Sequence, residues 1–115
     1  MDRREMTLDE YQAGTLETAS YPIMGPNGLV YPIMGLLGEA GELADKFKKV
    51  LRDSGGLISE DVRAALVKEL GDVLWYAARV AGHLDADLSE VAAANLAKLR
   101  DRKARGVICG SGDDR

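Results

Sequence analysis

The amino-acid sequence predicts an all-α domain, and three observations carry the prediction. Apolar residues recur at helical spacing through long segments, and no segment alternates convincingly as a strand would. Two boxes of the Thr/Asp-x-x-Glu type, Thr7 with Glu10 and Asp87 with Glu90, stand where helices would start. A third feature is the motif Leu-x-x-Glu-x-Gly-acid-aliphatic, which occurs twice, thirty residues apart. One copy holds Leu36, Glu39, Gly41, Glu42 and Leu43; the other holds Leu66, Glu69, Gly71, Asp72 and Val73. On two helices these copies would present the same surface to each other about a pseudo-twofold axis.

The first helix is expected from the Thr7 box to about Ser20. A segment with an unusual repeat follows: Tyr-Pro-Ile-Met-Gly at 21–25 recurs identically at 31–35, around the turn signal Pro26-Asn27-Gly28. It reads as a loop leading into the second helix and is assigned no chemistry. The second helix spans about Ile33 to Arg52 and stops at Ser54-Gly55-Gly56. Leu36, Ala40, Leu43, Phe47, Val50 and Leu51 form its apolar arc. Ser59 caps a third helix that continues to about Ala81, before Gly82. Its arc is Leu66, Leu70, Val73, Leu74, Ala77 and Val80. A fourth helix starts at the Asp87 box and ends near Arg105-Gly106, and the sequence CGSGDDR beyond it reads as an extended or flexible tail. The whole is a single four-helix, bundle-like domain over 1–115, with its core at about 33–106 and a glycine-rich tail at 107–115.

At 115 residues the chain has room for one domain. Its composition, 46% hydrophobic and 30% charged, is that of a soluble globular protein. The net charge of −4 argues against a nucleic-acid backbone as partner, because phosphate contacts need clustered Lys and Arg. No apolar run approaches the roughly 18 residues that span a bilayer, so no membrane partner is expected. MDRREM is charged and is followed by no apolar stretch, so it has no signal-peptide pattern. The lone Cys109 suits a reducing compartment, and a cytoplasmic location is the expectation. Trp75 and Ala78 lie on the side of the third helix away from its main arc. A second buried surface is implied there, supplied by another copy of the chain or by the tail; a homo-oligomer is the expectation.

The chemistry is in the carboxylates. Glu39 and Glu42 are neighbours on one helix face, and Glu69 and Asp72 repeat the arrangement. Each pair sits on the border of its apolar arc, where like charges are unfavourable unless a cation compensates. Hard oxygen ligands favour Mg²⁺, Mn²⁺ or Ca²⁺ over zinc. The alternative is a solvated acidic face with Glu42 paired to Lys46 at i+4. Gly41 and Gly71 add weight to the metal reading, since glycine inside a helix costs about 1 kcal/mol relative to alanine; a close backbone approach is expected there. With His83 as the sole histidine, taken as a loop residue, a Glu-x-x-His di-iron site is excluded. There is no G-x-x-x-x-G-K-[ST] phosphate loop either.

GLLGEAGEL at 35–43, KELGDVLWY at 68–76, and NLAKLRDRKARG at 95–106 make the chain resemble the MazG-like nucleoside triphosphate pyrophosphohydrolases. The resemblance covers about 33–106, with a weaker likeness at Tyr11-Gln12. It implies an all-α fold assembled as a homodimer or homotetramer, with Glu39, Glu42, Glu69 and Asp72 as the metal-binding and catalytic acids. The implied reaction is Mg²⁺-dependent hydrolysis of a nucleoside triphosphate to the monophosphate and pyrophosphate, with Mn²⁺ as a possible substitute metal. One of the four acids, with Glu39 and Glu42 the first candidates, would serve as base instead of ligand, and the sequence leaves that assignment open. Asn95, Lys98 and Arg102 share one stripe of the fourth helix; Lys98 and Arg102 are the expected phosphate contacts, with Asn95 as a polar orienter. Their alternative is a basic solvent face near a helix C-terminus. Tyr76, one turn beyond Asp72, would contact base or sugar or simply cover the site, and Gln12 is a further base contact by the resemblance alone. The repeated YPIMG segment departs from the family pattern and leaves base preference open. A dUTP- or dCTP-selective enzyme of the same superfamily, or a helical module that binds nucleotide or metal without catalysis, are the alternatives.

Overall fold

Thr7 opens the first helix through the reciprocal bonds its box predicts. Its hydroxyl accepts the Glu10 N–H at 3.0 Å, and the Glu10 carboxylate accepts the Thr7 N–H at 3.3 Å. The computed structural model describes residues 5–115; residues 1–4, where the charged start and missing signal-peptide pattern fall, lie outside the described residues. Among the described residues there are four α-helices and no strand: α1 Leu8–Thr15, α2 Val30–Ser54, α3 Glu60–His83 and α4 Leu88–Ala104. Short 3₁₀ turns occupy Leu16–Thr18 and Pro26–Gly28, so α1 ends earlier than the sequence predicts.

α2 starts at Val30, three residues before the expected Ile33. Pro32 lies in its first turn, where the missing N–H has no helical bond to lose. The two YPIMG copies therefore differ in structure: 21–25 is non-helical, and 31–35 belongs to α2. Between them Asn27 takes a left-handed φ of 54° and completes the predicted turn. Gly55 ends α2 with φ 64°, its N–H bonded to the Leu51 carbonyl at 3.1 Å. Ser59 caps α3 as expected, its hydroxyl accepting the Val62 N–H at 3.2 Å.

α2 and α3 form an antiparallel pair in contact along their length. α1 lies across α3, and α4 packs on α1 and α3 without extensive contact to α2. The buried core is small and sits at this junction: Ala78, Ala81 and Leu88, with Tyr11 and Ala86 packed on it. The chain's own N-terminal segment thus covers the face of α3 that carries Trp75 and Ala78. Trp75 donates its indole N–H to the Thr18 hydroxyl at 3.2 Å. Neither the tail nor a second copy is needed there, which corrects the reasoning from that face to an oligomer.

α4 is capped from a distance. Asp87 makes no side-chain bond to the helix start. Instead Asp9 accepts the Ser89 N–H at 3.0 Å and the Ser89 hydroxyl at 2.6 Å, and the Gln12 amide oxygen accepts the Leu88 N–H at 2.8 Å. The predicted Asp87–Glu90 box is therefore absent. The two side chains meet each other, and this hydrogen bond and the Asp87 charge raise the Glu90 carboxyl above its ordinary value. The tail also differs from expectation. Arg115 donates to the carbonyls of Val107 and Ile108 and folds 107–115 back on itself.

Candidate active site

Three carboxylates converge where α2 and α3 face each other. Glu39, Glu69 and Asp72 each place one oxygen within 4.8 Å of the others. The i, i+3 spacing aims Glu69 and Asp72 from one face of α3, and Glu39 meets them from the matching border of α2. Glu42, exposed one turn further along α2, is not one of the three.

The environment of these acids is electrostatically strained. Partial burial comes first, and then the charges of Asp72 and Glu69, in raising the Glu39 carboxyl above its ordinary value of 4.5. The Glu69 side chain is 17% exposed. Its Oε1 lies 3.6 Å from the Lys46 ammonium, an ion pair across the two helices, and no ion pair joins Lys46 to Glu42. Its Oε2 is buried without a hydrogen-bond partner. A buried oxygen left in that state costs about 1–3 kcal/mol or more, and a hard cation would satisfy it. The donor set is all oxygen and carries three negative charges. It fits a divalent metal of the Mg²⁺ kind.

A cleft of about 320 Å³ opens beside the triad, lined by Thr18, Glu39, Asp72, Trp75 and Tyr76. Tyr76, one turn beyond Asp72, lines this cleft. Burial, then the Tyr31 hydroxyl and the Glu39 charge, raise its phenol above the ordinary range. A larger cleft, about 480 Å³, lies between α1, α3 and the start of α4. Three of its polar groups are committed within the fold: Asp9 to Ser89, Gln12 to Leu88 and Ala86, and Arg79 to Thr15 at 2.7 Å. Gln12 is accordingly a buried joint between α1 and α4, which accounts for it without a base contact.

Asn95, Lys98 and Arg102 do not join the triad. No hydrogen bond or ion pair among the described residues links them to it, and none lines the cleft beside it. Asn95 is exposed. Lys98 and Arg102 instead grip a carboxylate of the folded tail, Asp113, at 3.0 and 2.9 Å. Arg102 is only 4% exposed, and its Nε is buried without a partner. Gly41 and Gly71 also depart from expectation, because a methyl at either would meet open space within this chain. The close approach occurs at Gly35, where the Tyr76 ring lies directly against the α2 backbone.

Sequence reasoning missed an aromatic cluster next to the cleft, in a neighbouring cleft that shares Tyr76 and Trp75 with it. Tyr21 and Tyr31, the first residues of the two repeats, stack with ring centroids 5.1 Å apart and planes 3° from parallel. His83, expected in a loop, is the last residue of α3 and bonds to this segment twice. The repeat itself was the available signal.

A helical hairpin brings these carboxylates together beside a cleft, an all-oxygen arrangement suited to a divalent cation in an all-α protein. The MazG nucleotide pyrophosphohydrolase domain matches this chain over residues 32–107, and the chain belongs to that family. It is also 53% identical over 114 residues to the Gene 37 protein of Mycobacterium phage L5, covering 96% of this chain and 100% of the relative. No solved structure matches. The family acts on nucleotides and is typically metal-dependent. No helix here is long and apolar enough to cross a membrane among the described residues.

Proposed function

We propose that this chain hydrolyses nucleoside triphosphates, ribo- or deoxyribo-, to the monophosphate and pyrophosphate with Mg²⁺, in nucleotide-pool sanitation or regulation. The observation that carries the reading is the triad, with its buried and orphaned Glu69 oxygen, beside a cleft that Glu39 and Asp72 line, within a chain of this family. Glu39, Glu69 and Asp72 would hold the metal. Bound there, Mg²⁺ supplies neutralisation of phosphate charge and polarisation of the phosphoryl oxygens. Glu42 stands one turn from Glu39 and outside the triad, so it is the acid free to add a ligand or to take the proton of the attacking water. Water adds to the α-phosphorus, the bond to the bridging oxygen breaks, and pyrophosphate leaves with that oxygen. Tyr76 flanks the nucleoside, Lys98 and Arg102 contact phosphate once Asp113 releases them, and Asn95 orients it.

The assembly is proposed as a homodimer or homotetramer. The chain exposes 8520 Å², against about 6,100 Å² for a compact chain of its mass. Leu37, Leu70 and Leu51 are 74%, 56% and 52% exposed along the α2–α3 pair. The excess area has the size of an obligate subunit interface. Calorimetric titration tests the site itself: Mg²⁺ or Mn²⁺ should bind the wild type and bind Glu69→Gln at least about tenfold more weakly. Equal binding by both would move the metal elsewhere.

A further inference from the structure

The duplicated pentapeptide and His83 have no part in holding a metal, yet the pentapeptide lines clefts that share Tyr76 with the carboxylate cleft, and His83 bonds to the pentapeptide. Tyr76 lines three neighbouring clefts: the one beside Glu39 and Asp72, one walled by Tyr21 and Tyr31, and one of about 440 Å³ lined by Met24, Val30, Tyr31, Met34, Gly35 and Tyr76. The last is strongly apolar and draws on both copies of the repeat, Met24 from the first and Tyr31, Met34 and Gly35 from the second. The aromatic rings are tied together. Tyr21 stacks on Tyr31 and meets Trp75 edge-on at 6.1 Å, while Trp75 meets Tyr76 edge-on at 5.0 Å.

His83 fixes this arrangement. Its Nδ1 lies 2.9 Å from the Asn27 carbonyl oxygen, and its Nε2 lies 2.6 Å from the Tyr21 hydroxyl. The carbonyl only accepts, so in the neutral ring Nδ1 carries the proton and Nε2 accepts from Tyr21. One imidazole thus binds the first repeat at its tyrosine and the turn that follows it. Gly28 passes close under the ring, where a Cβ would stand 3.0 Å from it.

We propose that the duplicated YPIMG segment is the base-selecting wall of the site, that the nucleobase lodges in the apolar cleft between Tyr31 and Tyr76, and that His83 is the residue positioning that wall. The proposal rests on the pyrophosphohydrolase reading. It is supported by continuity with the carboxylate cleft and by the pairing of an apolar, aromatic chamber with a site suited to metal and phosphate. An aromatic, flat group attached to a phosphate chain is the ligand whose two ends match the two chambers. Tyr31 and Tyr76 would contact it; Tyr21 and His83 act through Tyr31.

The test compares wild type with Tyr31→Ala, Tyr21→Phe, His83→Ala and His83→Gln on each common nucleotide, with Mg²⁺ affinity measured alongside. Tyr21→Phe keeps the stacked ring and removes only the latch, so it guards against loss of folding. Tyr31→Ala should raise KM for the preferred nucleotide about tenfold, as expected for losing one aromatic contact to a base, with kcat and Mg²⁺ affinity little changed. Discrimination among bases should flatten. Tyr21→Phe and His83→Ala should move KM the same way by less, and His83→Gln should restore part of the loss. Unchanged base ranking and KM in all four variants overturn the proposal, as does a loss confined to kcat. If the wild type turns over no nucleotide, Trp75 fluorescence decides by titration with nucleoside monophosphates without metal. A saturable change lost in Tyr31→Ala sustains the proposal, and no change in the wild type overturns it.

Discussion

At Glu39, partial burial and the charges of Asp72 and Glu69 act in one direction, raising the carboxyl above its ordinary value of 4.5. The folded chain therefore holds this proton to a higher pH than the unfolded chain does. Between the two pKa values the native state binds more protons, so metal-free stability falls as pH rises through that window. A cation at the triad opposes the loss. The Mg²⁺-induced rise in Tm should accordingly grow with pH through the same window, as calorimetry at a series of pH values would record. Glu39→Gln should raise the metal-free Tm at pH values above that window and abolish most of the Mg²⁺ response. A metal response unchanged in that variant would place the cation away from Glu39.

At the scale of the elements, three glycines on helices separate two kinds of constraint. Gly41 and Gly71 face open space in the chain, so alanine at either should stabilise it by up to about 1 kcal/mol through helix propensity. Gly35 lies against the Tyr76 ring, and alanine there should cost about 1–3 kcal/mol by overpacking. Urea denaturation distinguishes the two signs, and loss of assembly in Gly41→Ala would mean that a second copy's backbone packs there. Gln12→Ala should cost about 1–3 kcal/mol, because the Leu88 N–H and the Ala86 carbonyl lose their buried partner. Helix positions were legible in the sequence since Thr7, Ser59, Gly55 and Gly106 are local signals, read within one turn. Other features depend on partners far apart in the chain: Asp9 capping α4 across 80 residues, and Tyr21 meeting His83 across 62. No local pattern announces such bonds. The carboxylate triad was legible because the repeated motif gives both helices the same face, whereas Lys98 and Arg102 engage Asp113 through a fold-back that glycine-rich sequence does not reveal.

For the molecule as a whole, the core is small and the radius of gyration is 17.1 Å, against about 13 Å for a compact chain of this length, which is the ground for the proposed assembly. Sedimentation should return a mass of two or four chains of 12.4 kDa, and a monomer at micromolar concentration would contradict the proposed assembly. The tail is a second whole-molecule element, since it occupies the cations expected to meet phosphate. Asp113→Asn should lower KM for nucleotide by up to about fivefold, the worth of an exposed ion pair. The most direct measurement is the identity of the products. The chain is incubated with each common NTP and dNTP, with and without Mg²⁺, beside Glu69→Gln, and the products are resolved by ion exchange. The account predicts metal-dependent monophosphate and pyrophosphate, absent in the variant. Diphosphate with orthophosphate, or no turnover of any nucleotide, would contradict it.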